Sequence, residues 1–169
     1  MKKPLLSLLF VSVSILLNAQ KKDEKPVTWY VNNPNKDWKF NTFKLNTNEG
    51  TWMNLDVSPD GKTIVFDMLG DIYSMPISGG KATVLRAGLA YEVQPRFSPD
   101  GKYISFTSDA EGGDNIWVMT ADGKNAKAIT EEKFQLLNNA VWTPDGKSLV
   151  ARKHFTSTRS VGAGEMWQY

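Results

Sequence analysis

The sequence predicts an all-β chain, a partial β-propeller of four-stranded antiparallel blades in which two blades are complete and a third is truncated. Three observations carry this. One short turn occurs three times, as Ser58-Pro59-Asp60-Gly61-Lys62, Ser98-Pro99-Asp100-Gly101-Lys102 and Thr143-Pro144-Asp145-Gly146-Lys147, at spacings of 40 and 45 residues; that is the period at which a propeller blade recurs. Each turn is flanked by short runs that alternate or concentrate apolar residues, as strands do. Each copy is then followed by an acid or amide, an apolar residue and an aromatic residue at matching positions: Asp71-Ile72-Tyr73, Asn115-Ile116-Trp117 and Glu165-Met166-Trp167.

The elements follow in order. Residues 1–19 read as a secretory signal peptide: Met1-Lys2-Lys3, an apolar run from Pro4 to Leu17, then Asn18-Ala19 as a small-residue exit. About 14 apolar residues fall short of the roughly 20 that span a bilayer as a helix, so no stable membrane span is expected after cleavage. Residues 20–49 form an N-terminal linker and strand segment, locally basic and carrying Trp29, Tyr30, Trp38, Phe40 and Phe43. A strand near Lys39 to Leu45, lying beside a sheet edge, is expected there.

Blade segments are assigned to 50–87, 88–131 and 132–169, the last incomplete. In each turn proline presets φ for the second position, aspartate suits the third, and glycine accepts the left-handed conformation that returns the chain to its sheet. First strands are placed at Leu55-Asp56-Val57, Pro95-Arg96-Phe97 and Ala140-Val141-Trp142. Pro95 has no N–H to give to a ladder, which marks its strand as a free edge, the innermost of its blade. Second strands carry Ile64 and Phe66, Ile104 and Phe106, Leu149 and Ala151 on the face expected to be more deeply buried. The third strands are those of the aromatic fingerprint, and fourth strands are placed at Lys81 to Leu85 and Asn125 to Thr130. The third blade stops at Tyr169 before any fourth strand, and closed propellers use about four to eight blades. The chain is therefore read as a fragment, of marginal stability when isolated because an open blade exposes apolar surface.

On these residues the chain resembles TolB-type, WD-like propeller repeats of exported bacterial proteins. The longer strings, from Gly50-Thr51-Trp52-Met53 to Gly70-Asp71-Ile72-Tyr73, Gly112-Gly113-Asp114-Asn115-Ile116-Trp117, and Ala151-Arg152-Lys153-His154-Phe155 through Gly164-Glu165, are most similar to the N-terminal propeller of secreted amidohydrolase-superfamily proteins. That resemblance implies a metal-dependent hydrolase barrel, acting on C–N bonds, beyond this chain. A divalent metal is implied only for that missing domain.

Within the chain itself no residue is assigned a catalytic, cofactor-binding or metal-ligating role. There is no cysteine and a single histidine, His154, whereas hydrolytic metal sites gather several ligands. His154 beside Arg152 and Lys153 reads as a loop or strand-end residue. Asp109-Ala110-Glu111-Gly112-Gly113-Asp114 hints at calcium but lacks the alternation of a cation loop, and the plainer reading is a hairpin loop with solvated carboxylates. Gly162-Ala163-Gly164 reads as a flexible turn rather than a nucleotide loop. The connection from about His154 to Gly164 is longer than its counterparts and holds Thr156, Ser157, Thr158, Arg159 and Ser160, so it is a candidate contact with a partner domain.

The chain carries 20 basic and 18 acidic residues, and loss of Lys2 and Lys3 with the leader balances them, which removes support for nucleic-acid binding. The expected function is thus an exported, periplasmic or extracellular, binding and scaffolding module. Its partner is a protein or a downstream catalytic domain in the same polypeptide. The alternatives are a stand-alone envelope propeller acting through protein contacts, or a cap on an exported peptidase.

Overall fold

A computed structural model describes residues 31–32, 34, 38–42, 44–133, 135–157 and 160–169. The leader, Trp29, Tyr30 and Phe43 lie outside the described residues. Between Val31 and Met53 the described residues form no strand, which corrects the expectation at Lys39 to Leu45. Among the described residues the chain first joins a sheet at Asn54, whose carbonyl accepts the Asp67 N–H; upstream of it Trp38 and Phe40 are exposed.

Among the described residues eleven strands make three antiparallel sheets. The first holds β1 (Leu55–Val57), β2 (Thr63–Met68), β3 (Asp71–Pro76) and β4 (Thr83–Arg86) in that order. The second repeats it with β5 (Glu92–Phe97), β6 (Tyr103–Ser108), β7 (Asn115–Thr120) and β8 (Lys127–Ala128). The third has β9 (Leu136–Trp142), β10 (Leu149–Ser157) and β11 (Ser160–Gln168). The aromatic fingerprint falls at one register point in all three: Tyr73 opposite Phe66, Trp117 opposite Phe106, Trp167 opposite Ala151. Every substantial contact between sheets involves the first strand of the following sheet, β5 against β1–β3 and β9 against β5–β7. Successive sheets therefore stack like the blades of a propeller.

The turns adopt one hydrogen-bonded form. Ser58 Oγ donates to Asp60 Oδ1 at 2.6 Å, the same carboxylate oxygen accepts the Lys62 N–H at 3.1 Å, and Ser58 Oγ accepts the Thr63 N–H at 2.9 Å. Ser98 with Asp100, and Thr143 with Asp145, repeat it. A fourth instance, Thr120 with Asp122 and the Lys124 N–H, joins β7 to β8. The glycines at these turns have φ of 69°, 71°, 68° and 83° for Gly61, Gly101, Gly146 and Gly123, a region that costs other residues about 1–2 kcal/mol. Pro59 packs beside Gly101 and Pro99 beside Gly146, so the turns also stack from blade to blade.

Pro95 sits, as its missing N–H requires, on the edge strand β5, inside a bulge between Val93 and Arg96. The fourth strands are shorter than expected. Gly79 and Gly80 with φ of 89° and 122° delay β4 to Thr83, and Asn125 with φ 54° keeps the chain out of β8 until Lys127.

Two apolar layers form the core, one between each pair of neighbouring blades. Val65 and Ile72 of the first blade meet Ile104, Phe106, Trp117 and Met119 of the second. Ile116 and Val118 of the second meet Leu137, Ala140, Leu149 and Ala151 of the third. One expectation fails here. Ile64 and Phe66 are only half-buried, whereas Val65 between them is fully buried. The face carrying Ile64 and Phe66 is the one that, in the second and third blades, packs on the preceding blade, and among the described residues no sheet precedes the first.

Candidate functional site

The first strands are tied to one another by polar links that run in one direction. At β5 and β9 the backbone bulges, and Gln94 and Asn139 take φ of 59° and 54°, the left-handed region that non-glycine residues rarely occupy. The N–H groups that these bulges release from the ladder are received by the preceding blade. Asp67, 3% exposed on β2, accepts the Gln94 N–H at 2.6 Å through Oδ2. The same carboxylate accepts the Asn54 N–H and the Asn54 side-chain amide, each at 2.9 Å. Gln94 Oε1 in turn accepts the Asn139 N–H at 2.7 Å and the Thr107 hydroxyl at 3.2 Å. A second row lies beside it: Asp56 Oδ2 accepts the Phe97 N–H at 2.8 Å, the Arg96 guanidinium donates to the Leu55 carbonyl at 3.1 Å, and Trp142 Nε1 donates to the Arg96 carbonyl at 3.2 Å.

Farther out, Glu92 is 2% exposed and forms a forked ion pair with Arg86 of the previous blade, closest at 2.6 Å. A buried carboxylate persists only with such partners. In the third blade the matching position is Leu137, fully buried. There a different charge is enclosed: Lys153, 8% exposed, pairs with Glu132 and lies over the Trp167 ring at 4.4 Å and the Phe155 ring at 5.9 Å.

The residues weighed from sequence fall as follows. His154 lies on β10, where its Nε2 is 3.3 Å from Asn138 Oδ1 of the neighbouring strand. Asp109 accepts the Tyr91 N–H at 2.7 Å, and burial, then the nearby Asp109 charge, pushes the Asp114 carboxyl above the usual range. Among the described residues no group of three or more His, Asp or Glu converges as a metal-ligand set. Gly162-Ala163-Gly164 is not a turn but part of β11, with Ala163 opposite Phe155 and Gly164 opposite His154. The long connection from His154 to Gly164 is likewise a hairpin of two nine-residue strands, paired as far as Ser157 with Ser160. Thr158 and Arg159 lie outside the described residues. Beyond Leu136, which pairs with His154, no third strand pairs with this ribbon among the described residues.

The turn carboxylates share one electrostatic environment. The Ser98 hydroxyl, then the Lys102 N–H, hold Asp100 down to about 2; the Thr120 hydroxyl, then Lys124, do the same to Asp122. Hydroxyl bonds from Ser58 and Thr143 lower Asp60 and Asp145. Between the first two turns lies a shallow cleft of about 360 Å³ bordered by Pro59, Asp60, Phe97 and Asp100.

Against known families, residues 56–168 match the model of the tricorn protease N-terminal beta propeller domain. The chain belongs to this propeller family. It is also similar to an uncharacterized protein of Agrobacterium fabrum, 38% identical over 81 residues, covering 46% of this chain and 28% of that protein. Tricorn protease homolog 1 of Streptomyces coelicolor is 31% identical over 91 residues, 54% of this chain and 8% of that protein. Among solved structures, putative TolB from Agrobacterium tumefaciens superposes with a TM-score of 0.57 at 30% identity, over 62% of this chain and 39% of that one. TolB from Acinetobacter baumannii gives 0.53 at 25% identity, over 70% and 30%. The matched region is thus well under half of each relative. A TolB-like propeller is what the sequence and its relatives share.

Proposed function

We propose that the chain is an exported binding and scaffolding module, the N-terminal part of a larger hydrolase. The observation that carries this reading is how the polar groups at the blade interfaces are used. Asp56, Asp67, Gln94 and Arg96 are committed to holding one blade against the next, which leaves the loops and the β10–β11 hairpin to meet a partner. Export rests on the leader read at residues 1–19.

For the parent enzyme the strings Gly50 to Tyr73, Gly112 to Trp117 and Ala151 to Glu165 favour a metal-dependent amidohydrolase. A peptidase is the second reading, favoured by the names of two relatives: tricorn protease homolog 1, and a Bacillus subtilis peptidase 35% identical over 72 residues, 42% of this chain and 10% of that one. The test starts from the gene product in the exported fraction, captured with an antibody to this region. A mass far above 18.9 kDa supports the larger enzyme; one slightly below it leaves a small exported binding protein. Hydrolysis abolished by a chelator and restored by zinc supports the amidohydrolase. Labelling by a fluorophosphonate supports the serine peptidase.

A further inference from the structure

Every Asp-Gly step in this chain lies in one of the tight turns: Asp60-Gly61, Asp100-Gly101, Asp122-Gly123 and Asp145-Gly146. In an unfolded chain this dipeptide isomerises by itself, because glycine has no side chain to hinder attack by its own nitrogen. The nitrogen attacks the aspartate Cγ; the new C–N bond forms as the carboxyl C–O bond breaks, and the amide proton leaves with the hydroxyl as water. Water then opens the five-membered imide. Breaking the new bond restores aspartate, whereas breaking the original bond to the backbone carbonyl carbon leaves isoaspartate, which adds a methylene to the main chain.

Ring closure needs a free carboxylic acid and a free glycine nitrogen, and the turns engage both. Each glycine N–H is donated at 2.8 Å to the carbonyl of Ser58, Ser98, Thr120 or Thr143. Each carboxylate accepts the hydroxyl of that same residue and the N–H of the lysine two positions after it. The carboxylates themselves lie in water, so hydrogen bonding rather than burial restrains them. The four clamps are unequal. Lys102 and Lys124 add ion pairs to Asp100 and Asp122, at 3.2 and 3.0 Å, and among the described residues Asp60 and Asp145 have none. Thr143 has one hydroxyl proton for two acceptors, Asp145 and the Ser148 carbonyl at 3.2 Å, whereas Ser58 Oγ donates only to Asp60 among the described residues.

We propose that these four turns are latent isoaspartate sites that folding holds closed, and that Asp145-Gly146 is the first to open. The scale of the restraint follows from Asp100: held at about 2 instead of 3.8, its carboxyl is in the acid form roughly 60-fold less often than in the unfolded chain. Conversion at Asp145 lengthens the turn whose Gly146 packs beside Pro99 of the preceding blade, and it moves the carboxylate away from the Thr143 hydroxyl.

The test stores the full chain in warm neutral buffer, folded or in guanidinium chloride, and reads isoaspartate by methyl labelling with protein isoaspartate methyltransferase. Trypsin separates the four steps, because each is followed by lysine, at 62, 102, 124 and 147. In the folded chain isoaspartate is expected first at 145, then at 60, with 100 and 122 at least about 10-fold slower than in denaturant. Ser98→Ala is expected to speed conversion at 100 about 10-fold while circular dichroism shows a folded chain. Lys102→Gln, at an exposed side chain, removes only the ion pair and is expected to bring Asp100 to the rate of Asp60. Equal rates with and without denaturant overturn the proposal, as does conversion at 100 or 122 ahead of 145. So does a rate at 100 that neither substitution changes.

Discussion

Asp67→Ala isolates the link between blades better than any apolar truncation. The carboxylate is 3% exposed and receives three donors: the backbone N–H groups of Asn54 and Gln94, and the Asn54 amide. Alanine supplies no acceptor, and the Gln94 N–H cannot return to the ladder because its strand is bulged there. Asn54 can swing its side chain to water, so the loss reduces to two poorly solvated backbone N–H groups, at about 1–3 kcal/mol each. We expect a loss of about 4 kcal/mol, which for a chain of this size lowers the melting temperature by about 8–16 °C. Asp67→Asn should fall between the two proteins, because its amide oxygen still serves one donor while its NH2 faces the other. Urea titration followed by tryptophan fluorescence and by far-UV circular dichroism measures this. A loss under about 1 kcal/mol for Asp67→Ala would show that the blades are held by their apolar layer alone and that the polar rows are incidental.

Three further outcomes are expected. The lowered turn carboxylates contribute stability that is present above the unfolded aspartate value of 3.8 and lost as pH falls through their folded values, about 2 for Asp100 and Asp122; melting temperature should therefore fall between pH 4 and pH 2, less so in Ser98→Ala. Asp114 has the opposite sign: its carboxyl is raised by burial and by Asp109, so its ionisation opposes folding as pH rises above 3.8, and Asp114→Asn should raise the melting temperature at pH 7 but not at pH 3. Gly123→Ala should cost clearly more than Gly146→Ala, because both have positive φ but an added Cβ at 123 comes 2.6 Å from the Leu85 carbonyl oxygen, whereas at 146 its nearest neighbour is Pro99 Cδ at 3.7 Å; equal melting temperatures for the two variants would show that the Leu85–Gly123 approach relaxes freely.

What could be read in the chain depended on whether the cause was local. The Pro-Asp-Gly turns were legible because each residue satisfies a stereochemical demand of its own position, and the same logic covers Pro95 at its edge. The bulges at Gln94 and Asn139 were not, since neither residue advertises a left-handed φ; each is held there by an acceptor from another blade. In sequence the β10–β11 hairpin reads as a loop for a compositional reason. Thr156, Ser157, Thr158 and the glycines at 162 and 164 resemble a linker, and Gly164 lacks a side chain where Arg152 lies close over its backbone, a contact visible only once the strands are paired.

Burial of the second strand shows where sequence alternation stops being informative. Ile64, Val65 and Phe66 offer apolar side chains to both faces, and Ile104, Ser105 and Phe106 are all buried because blades lie on both sides of β6. The same pattern in β2 gives a fully buried Val65 between two half-exposed neighbours. Alternation therefore identifies the strand, but the number of neighbouring sheets decides which of its faces is core. It follows that the first blade is the sensitive reporter of assembly. If a further sheet is seated on it, the stacked Phe66 and Tyr73 rings, 5.5 Å apart, should lose solvent contact, while the surroundings of Phe106 and Trp117 stay unchanged.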